Sequence, residues 1–228
     1  MYKNVFFDLD NTLWAFTANA RKAFIEVYQS FSLSRYFLCF NDFMTLFEKK
    51  NIELWEQYND GKITKDELNR KRFLYPLEAV GCPDEKLSEA YSTEWFRIIT
   101  LQKELMPYAR EVLDYLHSRY HLYILSNGFS ELQLPKMKNS GIDHYFERII
   151  LSEEAGFNKP HKPFYDYAFH LTGCLKEESL IVGDDLHTDI LGAQKYGVDQ
   201  VFYHSGIEFF PQPPTYTITS LLELKRIL

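Results

Sequence analysis

The sequence is poor in cysteine, in net positive charge and in long apolar runs, and each shortage excludes a class of protein. Its three cysteines, Cys39, Cys82 and Cys174, are an odd number without paired spacing, which excludes a disulfide framework and a cysteine-based zinc site. Lysine and arginine number 25 against 32 acidic residues, a net charge of −7. We therefore expect no surface for a nucleic-acid polymer or an anionic membrane.

No stretch approaches the ~18 uninterrupted apolar residues of a membrane-spanning helix, and the apolar run near the N-terminus is too short for a signal peptide. We expect a soluble, cytoplasmic protein with reduced thiols. Apolar and aromatic residues are plentiful, at 46 % and 17 % of 228 residues. This supply suffices for one large packed domain, or for a domain with a substantial insertion.

The spacing of apolar residues changes along the chain. Residues 4–9 predict a short buried strand that ends in a polar DLDNT turn. Residues 14–106 keep helical spacing without a convincing strand, and Thr64 with Glu67 predicts a capping box inside this region. From residue 107 onward helices alternate with strands, which are predicted at 122–125, 148–151, 179–182, 200–203 and 216–218. One of these helices is predicted at 189–196.

Alternating strands and helices predict a parallel sheet that is covered by helices on both faces. The fold class is therefore α/β, with a core of residues 1–13 and 107–228. An all-helical domain, residues 14–106, is inserted after the first strand. A second capping box, Ser220 with Glu223, is predicted at the start of the last helix.

Ligands of an open parallel sheet bind beyond the carboxyl ends of its strands. Polar residues follow four of the predicted strands, and they are Asp8, Asp10 and Thr12; Ser126, Asn127 and Gly128; Lys159; and Asp184, Asp185 and Asp189. Because these strand ends meet at one edge of the sheet, the residues are expected to line a single crevice.

Asp8 and Asp10 alone are as consistent with a strand-ending turn as with a catalytic pair. Carboxylates this close disfavour each other's ionisation unless a cation neutralises them, and Asp184 adds a third. Hard oxygen ligands of this kind suit Mg²⁺. The pattern therefore predicts a magnesium site.

A carboxylate can be a covalent nucleophile that forms an aspartyl-phosphate, and Asp8 is the candidate. Asp10 is then the general acid and base, and Lys159 neutralises the transferred phosphoryl group. The phosphate or substrate contacts are expected from Thr12, Ser126, Asn127 and Gly128. Non-catalytic roles stay open for these residues, since Asn-Gly is a common turn, Lys159 could be a surface lysine, and Asp189 could be a helix-terminal charge. We expect Asp185 and Asp189 to hydrogen-bond around the metal ligands and orient them.

The segments FFDLDNTL, YILSNG, NKP and IVGDDLHTD, in this order, resemble the four motifs of the haloacid dehalogenase superfamily. The resemblance implies a Rossmann-like core with Asp8 as nucleophile, Asp10 as acid and base, and Ser126 and Lys159 as phosphate ligands. It also implies Mg²⁺ held by Asp8, the Asp10 carbonyl and Asp184. The helical insertion resembles the C1 cap, which closes over small soluble substrates. Family members that cleave carbon–halogen bonds lack the second aspartate, so Asp10 favours a phosphatase.

The stretches LWEQYNDGKIT, SNGFSELQ and YFERIILSEEAGFNKP resemble the pyrimidine 5′-nucleotidase branch of that superfamily. This implies a nucleoside monophosphate, such as dUMP or dTMP, as the substrate. The segment KPHKP departs from the branch, because Asp or Asn often follows Lys-Pro and here His161 does. Lys162, a second lysine, leaves open which ammonium enters the site.

Two alternatives to a nucleotidase remain: a phosphosugar or phosphoglycolate phosphatase, and a non-catalytic binding protein on the same scaffold. A nucleobase needs a flat slot with stacking partners, and Trp55 and Tyr58 are the candidates to line it. Hinges near residues 14–17 and 105–107 are expected to let the helical domain open and close.

Overall fold

The computed structural model describes residues 1–204, 206 and 212–228. The first half of the chain contains β1 (Asn4–Phe7), α1 (Phe16–Ser30), α2 (Phe40–Asn59), α3 (Lys65–Ala79), α4 (Glu85–Leu101) and α5 (Ala109–His117). The second half contains β2 (His121–Ser126), α6 (Ser130–Ser140), β3 (Arg148–Leu151), α7 (Ser152–Ala155), α8 (Lys162–Thr172), β4 (Ser179–Gly183), a π-helical segment (Leu186–Leu191), α9 (Gly192–Tyr196), β5 (Asp199–Tyr203), β6 (Tyr216–Ile218) and α10 (Leu224–Ile227).

The chain divides into two compact units. Met1–Thr17 and Lys103–Leu228 form the first, which we call the sheet unit. Ala18–Gln102 form the second, the helical unit, which consists of most of α1 together with α2, α3 and α4. Among the described residues, no helix combines the length and the apolar character that crossing a membrane requires.

The sheet unit contains a six-stranded sheet in the order β3-β2-β1-β4-β5-β6, and every neighbouring pair is parallel. The α/β prediction is confirmed. β1 lies between β2 and β4, and all four of its residues are buried. β2 and β3 extend the sheet on one side of β1, and β4, β5 and β6 extend it on the other, so the sheet has its topological switch point at β1.

Several predicted strands differ from those observed by one residue at an end, and the first strand and the helix predicted at 189–196 differ more. The first strand ends at Phe7 and not at residue 9, ahead of a turn at residues 11–13. The helix predicted at 189–196 begins earlier, as the π-helical segment, and becomes regular only in α9. Asp185 starts this segment by accepting a hydrogen bond from the Thr188 N–H at 2.7 Å.

Aromatic residues dominate the packing of both units. In the sheet unit, the Phe6 ring stacks on Tyr123 at 4.8 Å and on Phe169 at 5.0 Å between ring centroids, which joins β1, β2 and α8. In the helical unit, the Phe24 ring lies 4.4 Å from Phe47 and 5.0 Å from Trp95. Pairs of buried rings at such distances stabilise a core beyond the area that they bury.

Both predicted capping boxes are confirmed. Thr64 accepts from the Glu67 N–H at 3.2 Å, and Glu67 accepts in return from the Thr64 N–H at 3.0 Å. Ser220 and Glu223 form the second box, which opens a 3₁₀ turn ahead of α10. Each box satisfies N–H groups that a helix start otherwise leaves without a partner.

Candidate active site

The carboxyl ends of β1, β2 and β4 bring the predicted site residues together. Asp8 directly follows β1. Its N–H donates to the Val182 carbonyl of β4 at 2.8 Å. Ser126 is the last residue of β2, and Asp184 follows the last residue of β4. All three therefore lie at the switch point of the sheet, where ligands of such folds bind.

A tight turn after Asp8 sends the chain back on itself. Asn11 adopts a left-handed backbone conformation with φ of 61°, which asparagine tolerates better than most residues. Its side-chain oxygen accepts from the Thr17 N–H at 2.9 Å. Thr12 is fully buried, and its hydroxyl donates to Asp184 Oδ1 at 3.0 Å. In this structure the Thr12 hydroxyl therefore faces a carboxylate, and its role as a phosphate ligand stays a prediction.

Lys159 lies at the centre of the site. Its ammonium donates to Asp8 Oδ1 at 2.8 Å, to Asp189 Oδ1 at 2.6 Å and to the Leu125 carbonyl at 2.9 Å. Although burial by itself lowers the pKa of Lys159, the carboxylates of Asp189 and Asp8 outweigh it and hold that pKa above its usual range. Lys159 is therefore a fixed cation beside Asp8.

Asn127 fixes the loop that carries this lysine. Its amide nitrogen donates to the Lys159 carbonyl at 2.9 Å, and its side-chain oxygen accepts from the Lys159 N–H at 2.8 Å. Lys162, the alternative ammonium, pairs instead with Asp166 at 2.6 Å, and its side chain is 71 % exposed. Of the two lysines, only Lys159 contacts Asp8 in the described part of the chain.

The carboxylates of Asp8, Asp184 and Asp189 offer oxygen atoms within 4.8 Å of one another. Burial raises the pKa of Asp8 well above its usual range; Lys159 opposes this shift, and Asp189 and Asp184 add to it. Burial, followed by the charge of Asp189, raises the pKa of Asp184 to about 7. The pKa of Asp189 is also raised, again by burial first, with Lys159 in opposition.

One lysine does not balance three clustered carboxylates, so a further cation fits this cluster. Asp8 binds Lys159 through Oδ1 and Asp184 accepts from Thr12 through Oδ1, which leaves the second oxygen of each for that cation within the described part of the chain. Asp189 uses both oxygens, on Lys159 and on the Asp185 N–H at 3.2 Å. Its contacts are those of a residue that orients the cluster.

The carboxylate of Asp10 contacts two side chains of α6. Lys136 donates to Asp10 Oδ1 at 2.9 Å and to Oδ2 at 3.2 Å, and the Gln133 amide donates to Oδ2 at 2.8 Å. The same Gln133 nitrogen donates to Ser126 Oγ at 2.7 Å, and the Gly128 N–H donates to that oxygen at 3.0 Å.

Sequence reasoning missed Gln133 and Lys136. Both side chains are buried although they are polar, and their spacing of three residues puts them on one face of α6. Gln133 is the last residue of the segment SNGFSELQ, but nothing in its spacing from Asp10, 123 residues away, marks the pair.

The two aromatic candidates for a base-binding slot lie on α2 in the helical unit. The rings of Trp55 and Tyr58 are 5.5 Å apart and almost perpendicular, at 87°. Both residues are half-buried. Their role in binding a substrate stays a prediction.

Comparison with known proteins agrees with the motifs. The family model of the haloacid dehalogenase-like hydrolases matches residues 2–197. The pyrimidine 5′-nucleotidase YjjG of Escherichia coli (strain K12) is 31 % identical over 98 % of this chain and 96 % of its own. The pyrimidine 5′-nucleotidase PynA of Streptococcus pneumoniae is 29 % identical over 98 % of this chain and 93 % of its own.

A solved structure is similar along nearly the whole chain. It is the HAD-hydrolase YfnB of Bacillus subtilis bound to magnesium, which shows interdomain movement. Its sequence is 30 % identical, the match covers 99 % of this chain and 98 % of YfnB, and the TM-score is 0.90.

Proposed function

The chain belongs to the haloacid dehalogenase-like hydrolase family, and on that premise we propose that it is a Mg²⁺-dependent 5′-nucleotidase acting on pyrimidine nucleoside monophosphates. As an enzyme it is a phosphoric monoester hydrolase. The observation that carries the proposal is the contact of Asp8 with the buried ammonium of Lys159, beside the carboxylate of Asp184.

The site supports a reaction in two steps. Asp8 attacks the phosphorus atom, and the ester oxygen leaves with a proton from Asp10, which yields an aspartyl-phosphate at Asp8. Asp10 then takes a proton from the water that attacks this intermediate, which releases orthophosphate and restores Asp8. Lys159 and Ser126 bind oxygen atoms of the transferred group and offset their charge.

The same residues fit a magnesium ion, which this family generally uses. Asp8 and Asp184 would hold it through their side chains, with the Asp10 carbonyl as a third ligand and Asp185 and Asp189 around them. When bound, Mg²⁺ neutralises charge on the phosphoryl oxygens. Its charge would also offset the repulsion among the three clustered carboxylates.

The choice of substrate draws support from the likeness to YjjG and PynA, which extends through the helical unit. We assign to this unit, within residues 14–106, the role of a cap that covers the substrate. Trp55 and Tyr58 are the residues that we assign to the base, because a face and an edge of perpendicular rings can both contact a planar ring.

A phosphate-release screen tests both the chemistry and the substrate. We expect kcat/KM with Mg²⁺ to be at least about tenfold higher for dUMP and dTMP than for dAMP, hexose phosphates and glyceraldehyde 3-phosphate. Asp8→Asn should lower turnover by about 10³-fold or more, since the nucleophile is lost. Asp166→Asn, a matched change at the exposed Lys162 pair on α8, should leave turnover unchanged.

The nucleotide preference and the phosphatase chemistry can be contradicted by different results. A clear preference for hexose phosphates would retire the nucleotide substrate and keep the phosphatase. Turnover that persists in Asp8→Asn would remove Asp8 as the nucleophile, whatever the substrate. A wild-type protein that releases no phosphate from any ester would favour a binding protein on the same scaffold.

A further inference from the structure

The contacts of Asp10 on α6 point to a role for two residues outside the family motifs. We propose that Lys136 and Gln133 position the carboxyl group of Asp10 for proton transfer to and from the substrate. This inference rests on the proposed function, in which Asp10 is the general acid and base. Lys136 and Gln133 are positioning residues in it, because they contact Asp10.

The ammonium of Lys136 is buried beside two aromatic rings, so Asp10 is its main charged partner. Its side chain is 3 % exposed, and its ammonium lies 4.6 Å from the centre of the Trp14 ring and 5.0 Å from that of Phe16. Cation–π contacts of this kind favour the ammonium but satisfy no hydrogen bond. A buried charge is costly unless it is paired, so the ammonium remains on the Asp10 carboxylate.

Hydrogen bonds hold the residues around Lys136 in place. The Trp14 indole N–H donates to Ser140 Oγ at 3.0 Å, at the end of the same helix α6. The Gln133 side-chain oxygen accepts from Lys136 at 2.8 Å. Lys136 therefore contacts both Asp10 and the second residue that holds Asp10.

Gln133 ties Asp10 to Ser126 through one nitrogen, with bonds of 2.8 Å and 2.7 Å. A β-carbon at Gly128 would lie 2.1 Å from that nitrogen, so the glycine makes room for the amide. The proposed proton donor and a proposed phosphate ligand therefore share a single buried side chain. Such shared contacts limit the directions in which the Asp10 carboxyl group can point.

The positioning of Asp10 affects the step in which the ester bond breaks. When the P–O ester bond breaks and the Asp8–phosphorus bond forms, the proton of Asp10 passes to the leaving oxygen, and Asp10 becomes a carboxylate facing Lys136. A good leaving group departs with little need for that proton, whereas an alkoxide needs it. The contribution of Lys136 and Gln133 should therefore grow as the leaving group becomes more basic.

The test compares esters of similar size that differ in leaving group: 4-nitrophenyl, phenyl and benzyl phosphate. We measure kcat/KM, which reports the steps up to cleavage of the ester bond and not the later hydrolysis of the aspartyl-phosphate. For Lys136→Met we expect a fall of about 10²-fold or more with benzyl phosphate, and less than about fivefold with 4-nitrophenyl phosphate. Lys138→Met, an exposed lysine on the same helix, should change neither value.

Gln133→Met is the second variant, because it keeps Lys136 and the volume of the side chain. It should show the same selectivity for the basic leaving group, at about three- to tenfold, and it carries the test if Lys136→Met does not fold. An equal loss with all three esters, or no loss, in the folded variants would overturn the inference. A wild-type protein without activity, or an active Asp8→Asn variant, would overturn the proposed function instead.

Discussion

Asp8 and Asp10 lie two residues apart, and each faces a different lysine. Lys159 binds Asp8 at 2.8 Å, whereas Lys136 binds Asp10 at 2.9 Å. Two carboxylates with separate partners can take separate chemical roles, one as a nucleophile and one as a proton carrier. The residues that create this difference come from elements far away in the sequence.

Asp184 allows a test of the cation site at the scale of one residue. Burial and the nearby Asp189 raise its pKa, so its charge destabilises the metal-free protein. We expect Asp184→Asn to raise the free energy of unfolding of that form by about 1–2 kcal/mol, while the asparagine oxygen still accepts from Thr12. Thermal melts after treatment with EDTA measure this change.

The same melts with added Mg²⁺ complete the test. Mg²⁺ should raise the melting temperature of the wild type, since a ligand that binds only the folded state stabilises it. It should leave Asp184→Asn nearly unchanged, and Asp166→Asn should behave like the wild type. An equal shift in all three proteins would show that Asp184 does not hold the ion.

At the scale of elements, the end of β4 and the π-helical segment after it act together. Asp184 follows the strand, Asp185 caps the segment through the Thr188 N–H, and Asp189 turns back towards Lys159. Gly183 makes this turn possible, because a β-carbon there would lie 2.3 Å from Asp189 Oδ2 and 2.5 Å from its Cβ.

Gly183→Ala should therefore displace Asp189 and loosen its contact with Lys159. We expect a loss of about 1–3 kcal/mol in the free energy of unfolding, measured with urea, and at least a tenfold fall in kcat/KM. In an Asp189→Gly background, the added methyl group has no carboxylate to displace, so its cost in stability should nearly disappear. A cost that is equal in both backgrounds would place its origin elsewhere.

At the scale of the molecule, the helical unit is inserted where two strands of backbone run side by side. Within the sheet unit, the Ala15 N–H donates to the Glu104 carbonyl at 3.0 Å, and the Met106 N–H donates to the Leu13 carbonyl at 2.8 Å. The chain thus leaves the sheet unit and returns to it at neighbouring points. A short linker can replace the helical unit without moving β1.

We expect a variant in which a linker of about four glycine and serine residues replaces residues 18–102 to fold on its own. It should unfold cooperatively by circular dichroism, because the sheet keeps its own core. It should still hydrolyse 4-nitrophenyl phosphate slowly but lose any preference among nucleoside monophosphates. A preference that survives the excision would contradict the assignment of Trp55 and Tyr58 to the base.

Much of the fold could be predicted from the sequence, because the relevant signals are local. The alternation of short apolar segments with helical segments predicted the strands that follow residue 107, and the spacing of Thr64 with Glu67 and of Ser220 with Glu223 predicted two capping boxes. The ordered motifs predicted the family. Each of these signals depends on residues within one element, or on the order of elements along the chain.

Tertiary structure decided which polar side chains share buried space. Lys159 and Lys162 look alike in KPHKP, but only the first reaches Asp8, because Asn127 holds its backbone on both sides. In the sequence, Lys136 and Gln133 are two polar residues on one face of a helix, and only the packing of that helix brings them into contact with Asp10. A sequence records that a residue is polar, whereas its partner depends on the rotation of its helix against the sheet, and that rotation is set by the whole core.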